Sequence, residues 1–153
     1  MTPWDVLLQM KAALRADTGL AAWCQATYGR GLFIGLGFRL DESPGAAKAP
    51  YVLLSPAVTD GGLERAEEII AIRGLAGLHD KEVSESGLDR VQLGQQRLTN
   101  EFAPLVLAAL GRALSPGLAL SRVITHDFSK DPVFELGLDL TVTHSRAVGA
   151  RRR

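Results

Sequence analysis

Residues 118–144 read LALSRVITHDFSKDPVFELGLDLTVTH, and their patterning sets the fold. Phe134, Leu136, Leu138, Leu140 and Val142 alternate without a break against Glu135, Gly137, Asp139, Thr141 and Thr143. That is a period of two, which a half-buried β-strand uses and a helix does not. Upstream, Leu118, Leu120, Ile124 and Phe128 share one parity of a second strand, with Ser121, Thr125 and Asp127 on the other. Ser129-Lys130-Asp131-Pro132 between them is a turn by composition. The stretch predicts a β-hairpin with one apolar face inward and one polar face outward. Such a hairpin is marginal alone in water, so its apolar face needs a cover. The helical segments upstream are the natural source of one.

The chain has 153 residues, enough for one domain with a core of ordinary size. Apolar residues make up 46% and charged residues 22%, a globular composition. Lys plus Arg and Asp plus Glu balance at 17 each, so the total charge gives no bulk attraction for nucleic acid. Cys24 is the single cysteine, which excludes an internal disulfide and any cysteine-based metal cluster. Met1-Thr2-Pro3-Trp4-Asp5 lacks the basic start and apolar run of a signal peptide. No apolar stretch approaches the roughly 18 residues of a membrane span. The expectation is a protein made in the cytoplasm that does not meet a membrane.

Thr2, Pro3 and Asp5 form a helix start: a hydroxyl cap, proline at the first helical position, and an acid beside the exposed amides. A first helix from about Pro3 to about Ala16 follows, apolar around much of its circumference through Trp4, Val6, Leu7, Leu8, Met10 and Leu14. Thr18 caps a shorter helix from Leu20 to about Tyr28 that turns Leu20, Trp23 and Ala26 inward, and Gly29 and Gly31 end it. Strands are expected over Leu32–Phe38 and Pro50–Pro56, separated by a loop at Asp41–Gly45. Asp60-Gly61-Gly62 makes a turn. In Glu67–Leu78 the apolar spacing suits helix and strand alike, and three isoleucines with two interior glycines tilt it toward strand. His79–Gly87 reads as an exposed loop. A helical pattern returns from Asp89, either kinked or beginning near Asn100 with Pro104 early, and Ser115-Pro116-Gly117 stops it. The expected architecture is α+β: a largely antiparallel sheet of four to five strands, helices packed on one side, and a closing hairpin. Residues 1–145 form one domain in this reading, and 146–153 a basic, disordered tail.

Chemistry-bearing constellations are scarce. His79, His126 and His144 have no ligand spacing that zinc uses. Gly29 to Gly37 is glycine-rich but lacks both the G-x-G-x-x-G spacing and a following helix whose amides could hold phosphate. Asp80, Glu82, Glu85 and Asp89 lack the ligand ladder of a calcium loop, and Lys81 interrupts them. Cys24 follows Trp23 in an apolar helix and reads as a small packing residue. No G-x-S-x-G is present. No catalytic, metal or cofactor site is expected.

Leu14 to Trp23 at the end of an N-terminal helix, a strand entered by Pro50-Tyr51-Val52-Leu53-Leu54, then Glu67 to Ile72, a long amphipathic helix and a closing alternating strand form an order of elements. From about Pro3 to Thr143 this order resembles the tail terminator or tail-completion proteins of tailed bacteriophages and phage-like particles. The resemblance implies an α+β subunit of a hexameric ring that caps the tail tube, ends tube polymerisation and offers a surface for head or neck attachment. DNA would pass through the lumen unread, and no catalytic residue is implied. The partners are then other copies of the chain, the tube protein and a neck or head-completion protein, first in the host cytoplasm and afterwards in the virion. Gly87 to Gln96, with Gly94 and Pro104, departs from a compact version of the pattern and leaves strand order open.

A cyclic assembly uses two different patches on each subunit. Trp4, Leu7 and Leu8 on the first helix, with Leu32, Phe33 and Phe38, are the candidate subunit interface. Asp41, Glu42 and Lys48 in one loop, and His79, Asp80, Lys81 and Glu82 in another, are candidate partner contacts. Arg151, Arg152 and Arg153 are candidates for touching DNA or an acidic partner. Two other classes compete. One is a small α+β adaptor that binds a peptide or ligand. The other is an enzyme assembled from His126, Asp127 and Glu135 near the hairpin turn, residues that more often form a polar cross-strand group on a wet face.

Overall fold

The computed structural model describes residues 2–37, 43–60, 67–112 and 114–145. Phe38, Asp41, Glu42, Arg151, Arg152, Arg153 and the expected tail lie outside them. Helix α1 spans Pro3–Ala16, where Thr2 and Asp5 form a reciprocal cap: the Asp5 amide donates to Thr2 Oγ1 at 3.2 Å and the Thr2 amide to Asp5 Oδ2 at 2.7 Å. Helix α2 spans Thr18–Tyr28 and is capped by Asp17 rather than Thr18. The Asp17 carboxylate accepts from the Leu20 amide at 2.8 Å, and this bond holds its pKa below the ordinary carboxylate range. Gly29 ends α2 at φ +65°, a conformation a side chain would strain.

A five-stranded sheet carries the helices. Strands β1 (Phe33–Leu36), β2 (Tyr51–Asp60) and β3 (Glu67–His79) are followed by a separate two-stranded hairpin, β4 (Val83–Ser86) and β5 (Asp89–Gln92). Strands β6 (Leu118–Asp127) and β7 (Val133–Ser145) close the sheet in the order β1-β2-β3-β7-β6. Every pairing is antiparallel except that of β1 with β2. The fold is α+β with a C-terminal hairpin, and the ambiguous segment 67–78 is the strand β3, which pairs with β7 from Glu67↔Ser145 to His79↔Val133. The segment expected to be an exposed loop over His79–Gly87 is instead the end of β3 and the first strand of a hairpin. Each strand of that hairpin is four residues with one apolar side chain, Val83 or Val91, too few to show a period.

The helix expected from Asp89 begins at Leu93. Helix α3 (Leu93–Arg97) runs into a single π-helical turn, Leu98–Phe102, and then into α4 (Ala103–Arg112). The Ala103 amide donates to the Leu98 carbonyl five residues back, directly before Pro104. Proline has no amide to donate and its ring crowds the carbonyl four residues earlier, so a widened turn accommodates it without breaking the helix.

All the helices cover one face of the sheet. Val6, Leu7, Met10 and Leu14 of α1, Leu20 and Cys24 of α2, and Phe102, Val106 and Leu110 cluster with Val52, Leu54, Ile70, Ile72, Leu138, Leu140 and Val142. Trp23 stacks on Phe102 at a centroid distance of 5.3 Å and is only partly buried, while Ala26 is exposed. Leu7 is fully buried, so the expected interface role does not hold: it is a core residue, about a quarter-turn round α1 from the exposed Leu8.

The second correction concerns β6. A bulge lies between Leu120 and Arg122, so Leu120 pairs with Val142 but Arg122 with Thr141. One extra residue reverses the parity of everything after it. Leu118 and Leu120 stay on the helix side, whereas Ile124 and Phe128 emerge on the open side, 38% and 51% exposed. The single apolar face predicted for this strand is therefore split between the two sides of the sheet.

Candidate assembly surfaces

With the helices on one side, the described residues cover the other face of the sheet only at one corner. There Tyr51, Leu53, Leu75 and Ala49 form a small second cluster beneath the 3₁₀ turn Gly45–Ala47. The Tyr51 ring lies over Gly77, where any side chain would overlap it. Its hydroxyl and that of Ser43, at 2.6 Å, both donate to the buried Glu135 carboxylate. Burial, then the bond to Glu135, pushes the Tyr51 pKa up. Arg30 fastens the turn from below by donating to the carbonyls of Ala46 and Ala47.

Towards β6 the face lies open. Arg73, His126, Phe128, Gly137 and Asp139 line a shallow groove of about 240 Å³. The Phe128 ring occupies the space a side chain at Gly137 would need, and His126 Nε2 lies 2.9 Å from Asp139 Oδ2. The enzyme candidates each have a different partner: His126 turns to Asp139, Asp127 accepts from the Ser129 amide at 2.9 Å, and Glu135 is bound by Tyr51 and Ser43. Among the described residues no three His, Cys, Asp or Glu side chains converge to hold a metal ion. Beyond the groove runs β6, an edge strand whose outer backbone groups have no strand beside them among the described residues. Val123, Ile124 and Phe128 on or just past it are exposed apolar side chains.

A second exposed apolar region lies on the helix side. Trp4 and Leu8 are 49% and 58% exposed, and Leu8, Lys11, Ala12 and Arg15 line a broad depression on α1. Trp4 Cη2 reaches to within 3.3 Å of where a Cβ on Gly37 would stand. Leu32 packs partly against the core, and Phe33 is exposed on the other face with Lys48 Nζ 5.0 Å above its ring centre. The proposed six-residue interface is thus not one patch: of its described members only Trp4, Leu8 and Phe33 are exposed, and Phe33 does not share their side.

The partner-loop residues also divide. His79 ends β3, half-buried, while Lys81 and Glu82 are exposed. Asp80 is 5% exposed and is a structural hub, not a free contact. It accepts from Tyr28 Oη at 2.8 Å, Arg97 Nη1 at 2.6 Å and the Glu82 amide at 2.9 Å. Burial pushes its pKa up, but the Glu82 amide, the Tyr28 hydroxyl and the Arg97 guanidinium outweigh burial and hold it below the ordinary range. Burial first and the Asp80 bond second push the Tyr28 pKa up, and Arg97 offsets part of that rise. The charge run in the sequence concealed this hub, because its two main partners lie at distant positions, 28 and 97.

Cys24 is buried, and burial pushes its thiol up to about 11, so it stays protonated at neutral pH and packs as a small apolar group. No described helix is long and apolar enough to cross a membrane. Neither a protein-family model nor a curated protein matches the chain.

Proposed function

We propose that this chain is the ring-forming terminator or completion subunit of a phage or phage-like tail, acting through assembly geometry and not through catalysis. One observation carries the reading: a single subunit presents two unlike apolar surfaces on opposite sides, Trp4 with Leu8 on α1, and Ile124 with Phe128 at the β6 edge. A self-complementary dimer needs one patch, whereas head-to-tail contact in a closed ring needs two different ones. The order of elements that resembles the tail terminators adds the occupants: further copies around the ring, tube protein on one side, a neck or head-completion protein on the other, and DNA passing through the lumen. Such a subunit works in the host cytoplasm during assembly and then in the virion.

Negative-stain electron microscopy of the protein, alone and with tail tubes prepared without it, tests this reading. The expected result is a ring at one tube end with a mass about six times the 16.4 kDa subunit. A particle that stays small and ignores tubes would overturn it. That outcome favours a peptide-binding adaptor, a second reading supported by the bare β6 edge, since such edges accept an added strand.

A further inference from the structure

The β4–β5 hairpin stands away from the body of the subunit. Its residues Val83 to Val91 are all exposed, and Leu88 at the tip is exposed completely. An isolated two-stranded hairpin is marginal in water. This one is held at its root instead: Asp80 and Arg97 clamp the incoming chain, and the Leu93 amide bonds to the Glu82 carbonyl at 3.0 Å. Gly94 packs against Phe134, close enough that a side chain there would overlap the ring. The result is a fixed arm with an apolar tip that no other described residue covers.

We propose that the arm is the connector between copies of this chain, seating Leu88 in the neighbour's groove beside Phe128 with Asp89 against Arg73. The inference rests on the ring reading and names the contact that would build the ring. Three features select a second copy as the occupant. The groove is shallow and partly apolar, lined by Phe128, Leu138 and two glycines, of a size to take one leucine side chain. Asp89, next to Leu88, and Arg73, in the groove wall, are both exposed, and their side chains form no ion pair or hydrogen bond among the described residues. Arm and groove also lie on different parts of the subunit, so the contact is head-to-tail and can propagate to closure.

Charge reversal tests the contact on the full chain, with particle mass measured over a concentration series. Asp89→Arg and Arg73→Asp should each weaken association about tenfold or more by placing like charges together, and the double variant should return it to within about threefold of the parent. Leu88→Asp should weaken it about thirtyfold or more, as loss of a buried anchor does. Unchanged circular dichroism and melting temperature would show that these exposed positions leave the fold alone. A Leu88→Cys, Phe128→Cys chain should form covalent ladders on oxidation. If the parent assembles but Leu88→Asp and the single reversals assemble equally well, the arm is not the connector and the ring reading stands. If the parent never assembles, alone or on tubes, both fall together.

Discussion

On the helix side of the sheet, Leu138, Leu140 and Val142 share one cluster with Phe102, Val106 and Leu110, and each is almost wholly buried. On the open side the same strand carries Gly137, Asp139 and Thr141, and its neighbour β6 shows Ile124 to solvent beside Phe128. One face is a core that specifies the fold, and the other a surface whose apolar groups contribute little to it. Side chains that look alike in the sequence, Phe102 and Phe128, thus have opposite physical roles. Hydrophobic stabilisation is proportional to area removed from water, so the first contributes fully to the subunit and the half-exposed second contributes less.

The sharpest way to break this comparison is to truncate both rings. Phe102→Ala should cost about 3–5 kcal/mol in urea unfolding, because it leaves a cavity beneath Trp23. A loss under about 1 kcal/mol would show that this side is not the core. Next comes the polar staple between helices and sheet: Asp80→Asn should cost about 1–3 kcal/mol by weakening bonds from Tyr28, Glu82 and Arg97. The sign of its pH dependence follows from a folded pKa that lies below the unfolded one. The stabilisation is complete above the unfolded value of about 3.9 and is lost as pH falls through the depressed folded value. Acid titration of the parent should therefore show a stability loss in that window that Asp80→Asn lacks.

Gly77→Ala probes the one packed corner of the open face. Added to the Tyr51 ring, the methyl should cost about 1–3 kcal/mol by overpacking and loosen the Ser43–Tyr51–Glu135 group. The smallest effect sharpens the comparison furthest: Leu8→Ser should change stability by less than about 0.5 kcal/mol while reducing assembly, measured by melting and by particle mass on one preparation. Unfolding instead would make that side of α1 core.

The parts of the fold that depend on local rules were legible in the sequence. The Thr2 and Asp5 cap, the αL stop at Gly29 and the alternation of β7 are each set by residues within a few positions of one another. The α+β class follows from them. Non-local features were hidden. The bulge at β6 leaves no mark in Leu118 to Phe128 that separates it from a regular strand, yet it decides which side Ile124 takes. Leu7 and Leu8 are adjacent leucines on a broadly apolar helix, and only the position of the sheet shows which one is covered. The arm was read as a loop because its strands are four residues each, rich in serine and charge. Its apolar tip, Leu88, stood outside every periodic pattern.

The buried thiol of Cys24 makes the molecule carry its own clock. With a pKa of about 11 and no exposure, it reacts with a disulfide reagent only when the cover formed by α1 and α2 opens, so the labelling rate at neutral pH counts openings per second. Followed over a range of temperatures, that one reaction would time how firmly the helix layer holds itself shut.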